Sequence, residues 1–392
     1  MQIGINAHLL SMASSYRAAG VSNYILHLLR GLSAQDNCNH YKVFLSAWAQ
    51  DPSLAQQLEL AGNFDLIPSR LDTTLPTRRL TWEQMGLPRA AKGLDVLHGP
   101  VNVVPILMKI PRVVTVHDLA FLVYSDKHLP SKRRYLTLMT RLSARHSAYV
   151  IADSNATRND CIRLLGVSPE KVVTIPLAAD SDYRFLGNTP SGQSELSDFR
   201  AKKGLTDPYF LYLGTLEPRK NIPLLIEAYA QLHRQWGNRP GSPPRLVLAG
   251  PKGWMFDQIF ARVKELNLES HVLFPGFLSR EEIVYWFNGA IGFVYLSAFE
   301  GFGLPPLQAM QCGVPVIVNN SSSLPEVVGN SGLLVNANQI QEVTDALLSV
   351  ATDADLRVEL SEAGIERAKL FSWERTAQRT LEVYQKAVSH PT

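Results

Sequence analysis

The segment from Glu300 to Gln308 has the residue types of an anion-binding turn. An acid precedes Gly301, Gly303 and a pair of prolines, between an apolar run at 291–296 and a helical pattern that begins near Leu307. A strand–turn–helix arrangement of this kind presents free N–H groups and the positive end of a helix dipole, which favour a phosphate. A carboxylate at position 300 would repel phosphate, so we expect it to face another group, such as a sugar hydroxyl.

A second strand end carries two adjacent positive charges. Arg219 and Lys220 follow the apolar run 209–213 and precede another helical pattern. At a loop-to-helix junction they can neutralise a diphosphate, the guanidinium through paired hydrogen bonds and the ammonium as a point charge. Solvated surface charge explains the pair equally well when it is taken alone. The neighbouring anion-binding turn favours the functional interpretation.

The first half of the chain offers a histidine and a glycine in comparable places. His117 directly follows the apolar run 113–116, where an imidazole could steady a reacting group. A structural role is the commoner explanation of a single histidine. Gly20 stands at the start of a strongly periodic helix, and the loop 14–22 around it could cover a phosphate from the opposite side.

The elements that position these residues alternate between short apolar runs and helical patterns. This alternation predicts parallel sheets covered on both faces, in two doubly wound α/β domains that face each other across a cleft. We predict an N-terminal domain over 1–180, a linker over 181–207 where Gly, Pro and Ser interrupt the pattern, and a C-terminal domain over 208–372. The predicted strands are 3–5, 42–45, 96–98, 113–116, 150–152, 172–175, 209–213, 246–249, 272–274, 291–296 and 315–318.

Composition restricts the functional classes. The 392 residues have a net charge of only +3, which argues against nucleic acid as a partner. Three widely spaced cysteines predict a reduced, cytoplasmic protein without a zinc site. We expect neither a signal peptide nor a membrane-spanning helix, and no dinucleotide or P-loop glycine motif is present in the sequence.

A basic amphipathic helix is predicted over 131–147. Tyr135 and Leu138 belong to its apolar side, and five lysines and arginines form its polar side. Such a helix could lie on the inner, anionic face of a membrane as a peripheral contact. A domain helix with a solvated basic face is the favoured alternative, because such faces are common.

Together these residues resemble the retaining GT-B glycosyltransferases of family 4, the glycosyltransferase group 1 set. The resemblance covers nearly the whole chain and is most specific at 300–308, which matches the E-x7-E motif of the family between a strand and a helix. The string 217–221 is similar to that of bacterial mannosyltransferases that build surface polysaccharides. The resemblance implies two facing Rossmann-like domains and a last helix, 373–392, that crosses back to the N-terminal, acceptor-side domain.

The resemblance also implies roles for individual residues in binding a nucleoside-diphosphate sugar. His117 would lie near the reacting carbon of the sugar and Glu300 would hold its hydroxyls, so both are the candidate catalytic residues. The donor diphosphate would be bound by Gly20, Arg219, Lys220, Gly303 and Leu304. The donor sugar would be bound by Glu300, Gly301, Phe302 and Gly303. The ribose would contact Gln308, and the base would contact the main chain near Phe277 and Leu278.

The implied reaction is transfer of a hexose with retention of anomeric configuration and without a metal or other cofactor. Mannose from GDP-mannose is favoured and glucose from UDP-glucose comes next, with a glycan, lipid-linked or small-molecule acceptor. A nucleotide-sugar epimerase, a phosphorylase on the same fold and a non-catalytic partner protein remain the alternatives. The D-x-D triplet 180–182 is better explained by a loop or capping role than by a metal site.

Two positions depart from the family pattern. Thr215 stands where many relatives carry an arginine that contacts phosphate. Gln308 replaces the second acid of the E-x7-E motif. An amide can accept a hydrogen bond from one ribose hydroxyl and donate one to the other, but it lacks the strength that a charged acceptor provides.

Overall fold

The computed structural model describes residues 1–11, 19–47, 49, 53–73, 75–124, 130–187 and 189–389, with the backbone alone at 19, 76 and 130–132. The chain divides into two compact units. The N-terminal unit comprises Met1–Leu177 together with Ser372–Thr392, and the C-terminal unit comprises Ala178–Phe371.

The N-terminal unit is built on a parallel sheet. Its described strands are β1 (Gln2–Asn6), β2 (His40–Leu45), β3 (Phe64–Pro68), β4 (Val96–Gly99), β5 (Arg112–Val116), β6 (Tyr149–Ala152) and β7 (Val172–Thr174). They pair in the order β3-β2-β1-β4-β5-β6-β7, with every described pair parallel. The strand order reverses between β1 and β4, and the crevice at such a switch point is where parallel α/β sheets bind ligands.

Helices and tight turns connect these strands. They are α1 (Ala19–Gln35), α2 (Leu54–Gln57), α3 (Pro76–Thr81), a π-helical turn (Trp82–Gly86), α4 (Leu87–Ala90), α5 (Ala120–Val123), α6 (Pro130–His146), α7 (Asn155–Asp160), a second π-helical turn (Cys161–Leu165) and a 3₁₀ turn (Pro169–Lys171). Strands β4 and β5 are almost wholly buried, because helices cover both faces of a parallel sheet.

The C-terminal unit repeats the same plan. Its described strands are β8 (Tyr209–Leu213), β9 (Arg245–Ala249), β10 (Val272–Gly276), β11 (Gly292–Tyr295), β12 (Val316–Asn319) and β13 (Leu333–Val335), in the order β10-β9-β8-β11-β12-β13 and all parallel. The helices are α8 (Pro190–Lys203), α9 (Ile222–Trp236), α10 (Asp257–Glu265), α11 (Arg280–Gly289), α12 (Leu304–Gln311), α13 (Leu324–Val328), α14 (Ile340–Thr352) and α15 (Ala354–Ala368). The switch point of this sheet lies between β8 and β11.

Much of the predicted linker is helical in the structure, because 190–203 forms α8 within the C-terminal unit. The Gly, Pro and Ser residues that suggested a linker lie at the start of this helix. Thr189 caps it by accepting a hydrogen bond from the Gly192 N–H at 3.1 Å, Pro190 occupies its first turn, and Gly204 ends it at φ +64°. The observed units divide after Leu177 and after Phe371, where we predicted divisions after 180 and after 372.

The last helix, α16 (Trp373–Ser389), belongs to the N-terminal unit and packs on α1; residues 390–392 lie outside the described residues. A Cβ atom at Gly31 would lie only 2.8 Å from Cβ of Ala377, so glycine allows the two helices to approach closely. Tyr384 Oη lies 2.7 Å from His98 Nδ1, and His98 Nε2 lies 2.8 Å from Thr115 Oγ1. These buried hydrogen bonds tie α16 to β4 and β5.

The basic helix predicted over 131–147 is α6, although the side chains of residues 131 and 132 lie outside the description. Arg141 and Arg145 donate hydrogen bonds to the carbonyl groups of Leu164 and Leu165, at 3.0 and 2.9 Å. These contacts favour a structural role for at least part of the basic face. Among the described residues, no helix has the combined length and apolar character that crossing a membrane requires.

Candidate functional site

Two loops meet at the switch point of the C-terminal sheet. One follows β8 and contains Arg219 and Lys220, and the other follows β11 and contains Glu300. The Ala298 N–H donates a hydrogen bond to the Arg219 carbonyl at 3.0 Å, and Asn221 Nδ2 donates one to the Leu296 carbonyl at 2.9 Å. The two loops are therefore joined at the place where a ligand of such a sheet binds.

Lys220 is buried at the centre of this site, with 6% of its surface exposed. Its Nζ atom lies 2.5 Å from Glu300 Oε1 and 2.6 Å from Tyr295 Oη, and it sits 4.9 Å from the centre of the Tyr295 ring. Burial lowers the pKa of Lys220, and the nearby Glu300 carboxylate opposes that shift without cancelling it. The ammonium is thus held by a carboxylate, a hydroxyl and an aromatic face.

Glu300 is held as a carboxylate. Burial alone would raise its pKa, but the charges of Lys220 and Arg219 outweigh burial and lower the pKa to about 2. Arg219 Nη1 lies 3.4 Å from Glu300 Oε1, and Tyr295 donates a hydrogen bond to the same oxygen at 3.1 Å. A carboxylate that stays ionised is a strong hydrogen-bond acceptor for sugar hydroxyls.

Arg219 is also engaged within the protein. Its Nε and Nη2 atoms donate to Glu217 Oε1 at 3.1 and 3.0 Å, and Nη1 donates to the Phe299 carbonyl. Each cation of the site is therefore paired with a carboxylate, Arg219 with Glu217 and Lys220 with Glu300. Sequence analysis missed Glu217 and Tyr295, because nothing in their spacing distinguishes them from structural residues.

The glycine turn after Glu300 has the geometry that its sequence predicts. Gly303 has φ +116°, a conformation that favours glycine, and α12 starts directly after it with prolines at 305 and 306 in its first turn. Ser322 and Ser323 donate hydrogen bonds to the Glu300 carbonyl at 2.7 and 3.0 Å. These serines fix the backbone that carries the carboxylate.

The remaining donor-site candidates in this unit lie around that turn and after β10. The side chain of Phe302 is buried against Phe371, so only its backbone can meet a ligand. Gln308 is half-buried on α12, one helical turn after Leu304. Phe277 is 55% exposed and Leu278 is buried; both follow Gly276, whose φ is +78°.

The candidates from the first half belong to the N-terminal unit. His117 follows β5, with Nδ1 2.7 Å from Asp153 Oδ2 and Nε2 2.8 Å from the Pro100 carbonyl oxygen. Burial alone would lower the pKa of His117, but Asp153 and the carbonyl raise it above its usual value. Gly20 is exposed in the first turn of α1 with open space around it, while residues 14–18 of the predicted phosphate loop lie outside the described residues.

The D-x-D triplet takes part in an ion pair within the C-terminal unit. Asp180 pairs with Arg280, and Asp182 Oδ2 lies 3.2 Å from Arg280 Nη2. Asp180 Oδ1 also accepts a hydrogen bond from the Asp182 N–H at 3.1 Å, which is a loop-capping contact. In the part of the chain that the structure describes, no cluster of three or more His, Cys, Asp or Glu side chains could hold a metal ion.

Comparisons with known proteins identify the family of the chain and agree with its fold. The family described as glycosyl transferases group 1 matches residues 193–367, and the one described as glycosyltransferase family 4 matches residues 18–183. O-antigen chain mannosyltransferase B of Escherichia coli is 34% identical over 291 residues, which are 74% of this chain and 74% of that protein.

A longer relative and a solved structure extend this comparison. The serotype-specific mannosyltransferase WbdA of Escherichia coli is 28% identical over 278 residues, covering 70% of this chain but only 33% of WbdA. The crystal structure of Anabaena HepE in complex with UDP and glucose has a TM-score of 0.73 at 20% identity, over 98% of this chain and 100% of that chain. At that identity the match shows a common fold.

Proposed function

This chain is a family 4 glycosyltransferase with the GT-B fold, and from that premise we propose that it moves mannose from a nucleoside-diphosphate sugar to a saccharide acceptor with retention of configuration. The buried cluster of Arg219, Lys220 and Glu300 carries the proposal, because it places two cations and an ionised acid at the switch point of one sheet. Mannose is favoured by the name of the 34% identical relative.

Binding of the donor diphosphate would exchange partners at the two cations. Phosphate oxygens would replace Glu300 at Lys220 and Glu217 at Arg219, and the backbone of Gly303 and Leu304 would meet them at the start of α12. As the bond from the sugar to the diphosphate breaks, negative charge grows on the leaving oxygen. Fixed positive groups stabilise that charge, and this is the main catalytic contribution that we assign to the site.

Glu300, once released from Lys220, would accept hydrogen bonds from hydroxyls of the donor sugar. Before the donor binds, Lys220 and Arg219 lower the pKa of Glu300 and so keep it ionised, and Ser322 and Ser323 hold its backbone in place. Retention follows if the acceptor hydroxyl attacks on the same face from which the diphosphate leaves, with a leaving phosphate oxygen taking the proton. Gln308 would contact the ribose, and the backbone near Phe277 and Leu278 would contact the base.

His117 and Gly20 complete the proposal from the N-terminal unit. Both imidazole nitrogens of His117 already face acceptors, so we assign it an electrostatic and positioning role beside the donor sugar. Gly20 would allow backbone approach to the diphosphate. The three cysteines of the chain are free, which fits a reducing, cytoplasmic location.

Product analysis tests this function. We would incubate the protein with GDP-mannose or UDP-glucose, with and without mannose-containing acceptors, and measure nucleoside diphosphate release and the anomeric configuration of the product. A mannosyltransferase releases GDP rapidly only with an acceptor and forms an α-linked product. Conversion of the donor without any acceptor would indicate an epimerase, and failure to bind GDP or UDP at millimolar concentration would indicate a non-catalytic protein.

A further inference from the structure

A second polar cluster lies at the carboxyl edge of the N-terminal sheet, beside its switch point. Asn6 ends β1 and His8 follows it, while Trp82 and Glu83 begin the π-helical turn after α3. Asn6 Nδ2 donates a hydrogen bond to Glu83 Oε1 at 3.4 Å, and the rings of His8 and Trp82 are centred 5.5 Å apart. We call these four residues the Glu83 cluster.

Three polar atoms of the Glu83 cluster are buried without a hydrogen-bond partner in the described part of the chain. They are Asn6 Oδ1, His8 Nε2 and Trp82 Nε1. Asn6 is 7% exposed, His8 5% and Glu83 8%. Leaving one such group unpaired costs about 1–3 kcal/mol, so three together at one site require a physical explanation. A ligand that both donates and accepts hydrogen bonds would supply it.

Glu83 is the one acid among the four residues of the Glu83 cluster, and it is only partly ionised near neutral pH. Burial raises the pKa of Glu83 to about 7, because Arg79, whose Nε lies 3.9 Å from Oε1, only partly offsets it. Burial and the same arginine lower the pKa of His8 to about 4, so its ring is neutral and its Nδ1 pairs with Thr73 Oγ1 at 2.7 Å. The groups that lack a partner, on Asn6, His8 and Trp82, are uncharged and lie beside an aromatic ring, which suits an uncharged polar molecule.

These properties discriminate between classes of ligand. A phosphate would meet the Glu83 carboxyl, and among the described residues the half-buried Arg79 is the cation that pairs with it. A divalent cation would find one carboxylate, and the described residues contain no cluster that could hold a metal. A sugar ring fits better, since each hydroxyl can accept from the Trp82 N–H or donate to Asn6 Oδ1, and its C–H face can pack on an aromatic plane.

We propose that the Glu83 cluster is a binding subsite for a sugar residue of the acceptor. The π-helical turn supports this, since such turns occur frequently at functional sites and here it presents Trp82 and Glu83 as neighbours. All strands of this sheet are parallel, so Asn6 at the end of β1 and His117 after β5 lie at the same edge. That the cluster binds a sugar is inferred from the geometry alone. That this sugar belongs to the acceptor rests on the proposed transferase function.

Two variants and a matched control test the subsite, with methyl α-mannoside as the probe. Glu83→Gln removes the ionisable carboxyl at constant size, and Trp82→Phe removes the unpaired N–H but keeps an aromatic ring. Glu59→Gln is the control, because it removes a carboxylate of the same unit that is 70% exposed. Thermal unfolding of each variant establishes that it is folded before any binding is compared.

Saturation-transfer NMR without a donor measures binding of the mannoside, and transfer from GDP-mannose measures its KM. We expect Trp82→Phe to weaken binding and raise KM by about tenfold, the effect of losing one buried hydrogen bond, and Glu83→Gln to change both by a smaller factor, because its amide oxygen can still accept from Asn6. The Kd for GDP should stay within twofold, and Glu59→Gln should match the wild type in all three measurements.

Each other outcome has a distinct meaning. Unchanged mannoside binding in both folded variants overturns the subsite, as does a wild-type protein that does not bind the mannoside. An equal loss of GDP affinity also overturns it, since the effect would then not be specific to the acceptor. Sugar binding that depends on Glu83 in a protein that binds no nucleotide would support the subsite and reject the proposed transferase function.

Discussion

In the C-terminal unit the Lys220 ammonium lies 2.5 Å from the Glu300 carboxylate, and the Tyr295 hydroxyl contacts both groups. Both charges are buried, so each would be costly without the other. In the absence of the donor, Lys220 and Glu300 are each other's charged partner. Donor binding can then exchange partners, with phosphate taking Lys220 and sugar hydroxyls taking Glu300. Lys220 and Glu300 therefore each keep a partner before and after the donor binds.

This relationship predicts the effect of removing either partner. Lys220→Ala and Glu300→Ala should each lower turnover by ~10²-fold or more, because each removes a preorganised electrostatic contact to the donor. Initial rates of GDP release with donor and acceptor measure the effect. Lys203→Ala is the control, since Lys203 forms an ion pair with Glu282 at the surface of the same unit. Turnover close to that of the wild type in both variants would reject the donor site.

Gln308 provides a second prediction, on affinity for the donor. Gln308→Glu restores the acid that the family motif carries, and a charged acceptor forms stronger hydrogen bonds to ribose hydroxyls. We expect the Kd for GDP to fall about fivefold, equivalent to about 1 kcal/mol. Calorimetric titration with GDP measures this Kd. The control is Gln385→Glu, which adds the same negative charge at an exposed position. An unchanged Kd would mean that the protein holds the ribose elsewhere.

Much of the fold could be predicted from the sequence. Each apolar run that we assigned to a strand coincides with an observed strand, since buried parallel strands are apolar on both faces. The edge strands β3 and β13 were missed. The first contains Asp65 and ends at Pro68, and the second has only three residues, so neither presents a long apolar run.

The sites were less predictable, because their contacts join residues that are distant in the sequence. Strand ends identified Arg219, Lys220 and Glu300, since turn chemistry is visible locally. The pairing of Lys220 with Tyr295 spans 75 positions, and that of Asn6 with Glu83 spans 77. No local spacing encodes such contacts. The helix α8 was missed for another reason, since its capping residues are also those of a linker.

The last helix supports the N-terminal unit through Tyr384, which gives a prediction on stability. Tyr384→Phe removes the hydroxyl that lies 2.7 Å from His98 Nδ1 and leaves a buried imidazole nitrogen unpaired. We expect a loss of about 1–3 kcal/mol in the free energy of unfolding, measured by urea denaturation. Glu382→Gln, an exposed change on the same helix, should stay within about 0.5 kcal/mol of the wild type. Equal stability of both variants would contradict the role of this hydrogen bond.

His117 gives a prediction on the pH dependence of stability. Its pKa is raised in the folded protein because, although burial opposes it, Asp153 and the Pro100 carbonyl both accept hydrogen bonds from the protonated ring. A raised pKa means that the folded state binds the proton more tightly than the unfolded state. The stabilisation is therefore fully present below the unfolded value of about 6.5 and is lost as the pH rises through the folded pKa.

The measurement is the difference in unfolding free energy between the wild type and His117→Asn, from urea denaturation between about pH 6 and pH 9. We expect this difference to shrink steadily as the pH rises. In an Asp153→Asn background, which lacks the carboxylate that raises the pKa, the pH dependence should largely disappear. A difference that stays constant over this range in the wild-type background would show that Asp153 and the Pro100 carbonyl do not stabilise the protonated ring, and would leave the electrostatic role proposed for His117 without support.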